Sequence, residues 1–170
     1  MLTPDPRSTP APSTPRLDTW SLPQIVDFVL VRYHEPLRAE LPVLLDAARK
    51  VERVHADKDS CPRGLAAHLE QMDAELRDHL LKEEHVLFPA VRAGARGAQL
   101  HMPVRVMMQE HEDHGENLRL LRALARDFAP PADACATWRG LYAGLAKLEA
   151  DLLEHIQLEN DVLFRRVLDV

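Results

Sequence analysis

Two stretches decide how this chain folds: "DHLLKEEHVLFP" at residues 78–89 and "EHIQLENDVLFR" at residues 154–165. Each writes an acid, a histidine, three further residues, a glutamate and then a Val-Leu-Phe run, giving His79 with Glu83 and His155 with Glu159. A spacing of four is one helical turn, so each pair shares a helix face with the leucines around it.

Outward from these stretches the chain reads as four helices. The first runs from Ser21–Leu22 to about Val54, with a kink or break expected at Glu35–Pro36 or Leu41–Pro42 because proline lacks the donor and clashes backwards. The second starts at Ser60–Cys61–Pro62 and ends in the Gly94–Gly97 region. The third starts near Met102–Pro103 and ends before Pro130–Pro131, and the fourth runs from about Ala132 to Val167. Short connections make sequential helices antiparallel, so the fold class is all-α, an up-down-up-down four-helix bundle.

A bundle seam, stepping alternately by three and four, can be laid along each helix. It selects Leu65, Leu69, Met72, Leu76, His79, Glu83, Val86 and Ala90 on the second. On the fourth it selects Trp138, Leu141, Leu145, Leu148, Leu152, His155, Glu159 and Val162. The third gives Val104, Met107, His111, His114, Leu118, Leu121 and Ala125, and the first gives Leu30, His34, Leu37 and Leu41. Every seam is apolar except where histidine and glutamate interrupt it.

Burying even a neutral polar group without a partner costs roughly 2–7 kcal/mol, and a charge costs more. No lysine or arginine shares these seams. A bound multivalent cation is the economical counter-charge. The pattern is also duplicated. His79 and His155 are separated by the same length of chain as Glu83 and Glu159, and His34 and His111 by one position more. Two related helix pairs packed about a pseudo-twofold axis would each supply two imidazoles and one carboxylate. Two metals with four terminal histidines and two bridging glutamates follow. A ferritin-like site would need paired Glu-x-x-His motifs, and the one match, Glu52 with His55, reads as a surface or loop-fixing contact.

The other histidines rank below these. His68, His85 and His101 fall off the seams and are expected to be exposed. His114 lies on the seam, and its role stays open between an outer hydrogen-bond partner, a channel residue and a fifth histidine ligand. Glu75 and Glu110 read as solvated charges that could flank a route to the metal.

The bulk properties bound the rest. The 170 residues suit one domain, and a net charge of −6 gives no basic face for nucleic acid. Six of the thirteen prolines fall between Pro4 and Pro23, so residues 1–20 are expected to be a disordered Pro-rich tail and residues 21–170 the bundle. Two cysteines, Cys61 and Cys135, make neither a disulfide framework nor a zinc site. With no signal-peptide core and no long apolar run, a cytoplasmic protein with no membrane partner is expected.

Several segments resemble the hemerythrin-like domain of the repair-of-iron-centres proteins, bacterial di-iron proteins tied to recovery of iron–sulfur clusters after nitrosative and oxidative stress. They are "LVRYHEPLRAELP" (30–42), "KVERVHADK" (50–58), "HLLKEEHVLFP" (79–89), "EH" (110–111), "CATWR" (135–139) and "HIQLEN" (155–160). The resemblance covers about residues 20–168. It implies a hemerythrin-like bundle with two non-haem iron ions, oxo-bridged, ligated by His34, His79, His111 and His155 and bridged by Glu83 and Glu159. It implies binding or reduction of nitric oxide and support of iron–sulfur cluster repair, with damaged iron–sulfur proteins as partners and Glu75 and Glu110 lining the approach. Full-length members carry an N-terminal domain with a cysteine pair, whereas here a proline-rich stretch precedes the bundle and no cysteine precedes Cys61. The alternative is a hemerythrin-like oxygen or nitric oxide carrier or sensor without turnover. Carriers use a fifth histidine on the third helix, where this chain has Gly115. Whether the centre is an enzyme, and whether the chain is a monomer or homodimer, the sequence leaves open.

Overall fold

The computed structural model describes residues 17–169. Seven α-helical segments follow in order: α1 (Leu22–Val29), α2 (Glu35–Val54), α3 (Leu65–Lys82), α4 (Phe88–Arg92), α5 (His101–Leu124), α6 (Ala136–Leu158) and α7 (Arg165–Leu168). Among the described residues there is no strand. Three π-helical turns, Leu30–His34, Glu83–Leu87 and Glu159–Phe164, join α1 to α2, α3 to α4 and α6 to α7. The segments therefore make four bundle helices, with α5 the third. α2 packs on α3 and α6, α3 packs on α5, and α5 closes the ring against α6.

The starts and stops have local causes. Ser21 and Gln24 form a reciprocal capping box, with Pro23 in the first turn of α1. The second bundle helix begins at Leu65, later than Cys61–Pro62, because Gly64 stands at φ 88° and breaks the helical path. Glu52, on α2, accepts the Ala66 N–H at 2.9 Å and so caps that helix from outside, the loop-fixing role expected of it. Helical structure also begins ahead of residue 21. Leu17–Thr19 form a 3-10 turn, Leu17 is buried, and its carbonyl accepts from Arg166 Nη1 at 3.2 Å. Residues 1–16, the remainder of the expected tail, lie outside the described residues.

The π-turns correct the seam. Each inserts one residue into the helical repeat, so the inward face slips by one position beyond it. Leu87 and Val91 are buried where the seam predicts Val86 and Ala90, and Val86 is 59 % exposed. Leu163 is buried in place of Val162, and Val29 in place of Leu30. Two of the turns have a proline two residues past their end, Pro36 and Pro89, whose missing N–H and bulky ring suit the wider turn. The third ends at Phe164, and Arg165 and Arg166 follow it where the others have a proline. Pro42 sits inside α2 without ending it.

Two apolar clusters divide the bundle. One gathers side chains from 37–51, 65–80, 118–125 and 134–152 around Trp138 and Tyr142. The other holds side chains from 17–33, 87–91, 100–107 and 158–167 around Phe88 and Phe164. On every bundle helix the donor positions, His34, His79 and Glu83, His111, and His155 and Glu159, fall where one cluster gives way to the other.

Candidate metal centre

His34, His79, His111 and His155 are buried, and Glu83 and Glu159 are fully buried at 0 % exposure. Their donor atoms form two groups. His34, Glu83, His155 and Glu159 lie within 4.8 Å of one another, and so do His79, Glu83, His111 and Glu159. Both glutamates belong to both groups. The six residues singled out in the sequence are thus brought into one layer, in the paired arrangement that the internal repeat suggests.

Inside that layer the polar atoms lack ordinary partners. All four carboxylate oxygens of Glu83 and Glu159 are buried without a hydrogen bond. Glu83 Oε2 sits 3.4 Å from His34 Nε2, and Glu159 Oε2 lies 3.1 Å from His155 Nε2 and 3.2 Å from His111 Nε2. The Nε2 atoms of His34 and His155 face each other at 3.2 Å, as do those of His79 and His111. Unpaired buried carboxylates and converging imidazole nitrogens are costly alone and are what a divalent cation would satisfy. The donor set suits iron and other borderline metals.

The outer ring nitrogens settle the tautomers. His34 Nδ1 donates to Glu84 at 2.7 Å, His79 Nδ1 to Glu110 at 2.8 Å, and His111 Nδ1 to Asn160 at 2.9 Å. A proton held on Nδ1 leaves the Nε2 lone pair pointing inward, which is the form a metal needs. Arg38 in turn holds Glu84 at 2.7 Å, and Lys82 holds Glu110 at 2.5 Å. His155 is oriented differently: its Nδ1 has no hydrogen bond, and its ring stacks on Tyr33 at 5.0 Å and 9°. Phe88 and Phe164 flank His34 and His111, each with centroids 5.6 Å away.

Burial dominates the electrostatics. It lowers His34 and His79 to about 4, reinforced by the neighbouring imidazoles, so both are neutral near pH 7. Burial and the adjacent Glu159 push Glu83 well above the usual carboxylate range. Burial works the same way on Glu159, but His155 and His111 outweigh it and keep that carboxylate ionised. A cation beside the pair would favour the ionised form of both carboxylates.

The lesser-ranked residues divide. Glu110 is no mere solvated charge, since it holds His79. Glu75 accepts from Asn117 at 2.6 Å and Gln71 at 2.8 Å, and with Glu110 it lines a cleft of about 470 Å³ beside His114. His114 is buried but joins neither donor group. His85 and His101 are exposed as expected. His68 is not. It is buried between α3 and α5, where its Nε2 donates to the Asn117 carbonyl at 2.8 Å, so one hydrogen bond satisfies the polar end of a packed ring. Sequence reasoning missed Glu84 and Asn160, although the repeat marks them: each directly follows one of the paired glutamates, Glu83 and Glu159.

This layer, inside an antiparallel four-helix bundle, defines a cation-binding hemerythrin-type domain. The family model of the hemerythrin HHE cation binding domain matches residues 26–167, and the chain belongs to that family. Among its relatives, it is 49% identical over 150 residues to the iron-sulfur cluster repair protein YtfE of Enterobacter sp. (strain 638), covering 88% of this chain and 68% of that protein. It is 44% identical over 149 residues to a probable iron-sulfur cluster repair protein of Haemophilus influenzae, covering 88% and 66%. It is 48% identical over 147 residues to the YtfE protein of Edwardsiella ictaluri, covering 86% and 66%. The chain thus spans about two thirds of the length of these relatives. No helix among the described residues is long and apolar enough to cross a membrane.

Proposed function

We propose that the layer holds a non-haem di-iron centre, with His34 and His155 on one iron, His79 and His111 on the other, and Glu83 and Glu159 bridging. The observation that carries this reading is that both four-donor groups contain the same two buried, otherwise unpartnered carboxylates. The protein would act in iron–sulfur cluster repair, as the relatives' names state of them, by binding or reducing nitric oxide and supporting restoration of damaged clusters in the stress response.

A bound iron pair supplies Lewis-acid and electron-transfer chemistry toward a diatomic molecule. The chain's part is to orient four imidazoles by Glu84, Glu110, Asn160 and Tyr33, to exclude bulk water with Phe88 and Phe164, and to leave room for a small molecule. A carrier of the five-histidine kind would place its additional ligand one turn after His111. Gly115 stands there, with open space around the position a Cβ would take.

The test is anaerobic addition of nitric oxide to the reduced, iron-loaded protein with an external reductant present, following nitrous oxide, the iron spectrum and iron transfer to an apo iron–sulfur protein. Nitrous oxide or iron transfer, with irreversible oxidation in air, is expected. A stable, reversible oxygen adduct with neither activity would replace repair by a carrier or sensor.

A further inference from the structure

The two halves of the bundle are duplicates in sequence but not in access. Superposing the halves in sequence, so that His34 falls on His111 and His155 on His79, places Leu37 on His114, Tyr33 on Glu110, Glu40 on Asn117 and Asp151 on Glu75. Each of these residues lines one or other of two equivalent hollows. The hollow beside His155, with Tyr33 and Leu37 in its wall, is filled to about 10 Å³. The one with Glu110 and His114 remains a cleft of about 470 Å³. Where the small hollow has an aromatic and an aliphatic side chain in its wall, the large one has a carboxylate and an imidazole, and His114 is the wall residue that packs on a donor, His79.

His114 is the residue that this difference leaves unexplained. It is 4 % exposed, and its Nε2 is fully buried with no hydrogen-bond partner. Its ring stands edge-on to His79, 87° between planes and 4.9 Å between centroids, while the same residue lines the cleft. A leucine fits the equivalent position in the other half, so packing alone does not call for an imidazole. Buried polar atoms are nearly always paired, and an orphan one marks a partner supplied from outside the chain.

We propose that His114 Nε2 is the hydrogen-bonding partner of the small anionic or diatomic ligand taken up at the centre, which makes the His79–His111 side the binding side. This rests on the di-iron reading and adds to it a specificity residue. The imidazole forms part of the boundary between cleft and centre, where it meets a ligand arriving through the cleft without joining the donor sets. Leu37, its counterpart, offers no such contact, so the two metal positions are not equivalent toward ligands.

The experiment loads the wild-type, His114→Leu and His114→Gln proteins with iron, measures iron content, and then titrates azide into the oxidised proteins through its charge-transfer band. Melting of the metal-free proteins is followed in parallel. His114→Leu is expected to keep its iron, to melt no lower than wild type without metal, and to bind azide about tenfold or more weakly, the worth of one hydrogen bond to a charged ligand. His114→Gln, which restores a donor, is expected to recover most of the affinity. Unchanged azide affinity in iron-replete His114→Leu would overturn the assignment and leave a buried water as the nitrogen's partner. Loss of one iron would overturn it differently, by making His114 a ligand. A wild-type protein that holds no iron would instead defeat the di-iron reading beneath it.

Discussion

Four imidazoles and two carboxylates share one buried layer, and for three of the imidazoles the place of the ring proton is set by a side chain outside it: Glu84, Glu110 and Asn160. The six inward residues are legible in the sequence because they interrupt apolar seams, where a polar residue is expensive. Glu84 and Asn160 are not, because they lie just off the seam and look like any solvated polar residue; only their matching places in the repeat mark them. Removing the Glu84 carboxylate by Glu84→Leu frees the His34 tautomer and should weaken iron retention about 10–100-fold in chelator competition; unchanged retention would mean the hydrogen bond is incidental. Glu83→Ala and Glu159→Ala should each disturb both irons, since each glutamate belongs to both donor groups. If either variant lost one iron and kept the other intact, the bridging role would be wrong. Far from this layer, Cys135 stands at the N-terminus of α6 with its Sγ 3.3 Å from His55 Nε2. That hydrogen bond, with the Trp138 and Thr137 amides, lowers the thiol to about 7. Because the depressed value favours the thiolate, alkylation of Cys135 should rise through pH 7 instead of near 9, and His55→Phe should move the midpoint upward. A rate profile that ignores residue 55 would contradict this.

At the scale of elements, helix number, order and approximate ends follow from periodicity, proline and glycine. The π-turns do not, because one extra residue in a helical repeat leaves no compositional mark beyond a proline such as Pro36 or Pro89. Their consequence is local and physical: beyond each glutamate the inward face moves by one residue, turning Phe88 and Phe164 onto His34 and His111. α5 carries no such turn and runs unbroken from His101 to Leu124 with Gly115 inside it. Glycine in a helix interior costs about 0.5–1 kcal/mol against alanine. A Cβ at Gly115 meets nothing within 4 Å. Gly115→Ala should therefore stabilise the protein by about that amount in denaturant unfolding. A destabilised Gly115→Ala would show that α5 needs the glycine for a bend or a close approach that this structure lacks.

For the whole molecule, the apolar clusters above and below the layer provide the fold, and the layer itself, with no cation in it, works against the fold. Two carboxylates at 0 % exposure without hydrogen bonds are a standing cost. The metal-free protein should thus melt well below the iron-loaded one, and the gap should grow with free metal concentration as linkage requires. The first described turn contributes as well: a chain starting at residue 21 should be less stable than one starting at residue 17 by about 2–3 kcal/mol, the cost of losing a buried leucine. If one buried layer holds two metals through shared carboxylates, iron content is the deciding quantity, measured on the wild-type chain after anaerobic ferrous reconstitution and removal of loosely bound metal. Two irons per chain, one for each donor group and filling together, are expected. A plateau at one iron, or none retained, would contradict the two-metal layer.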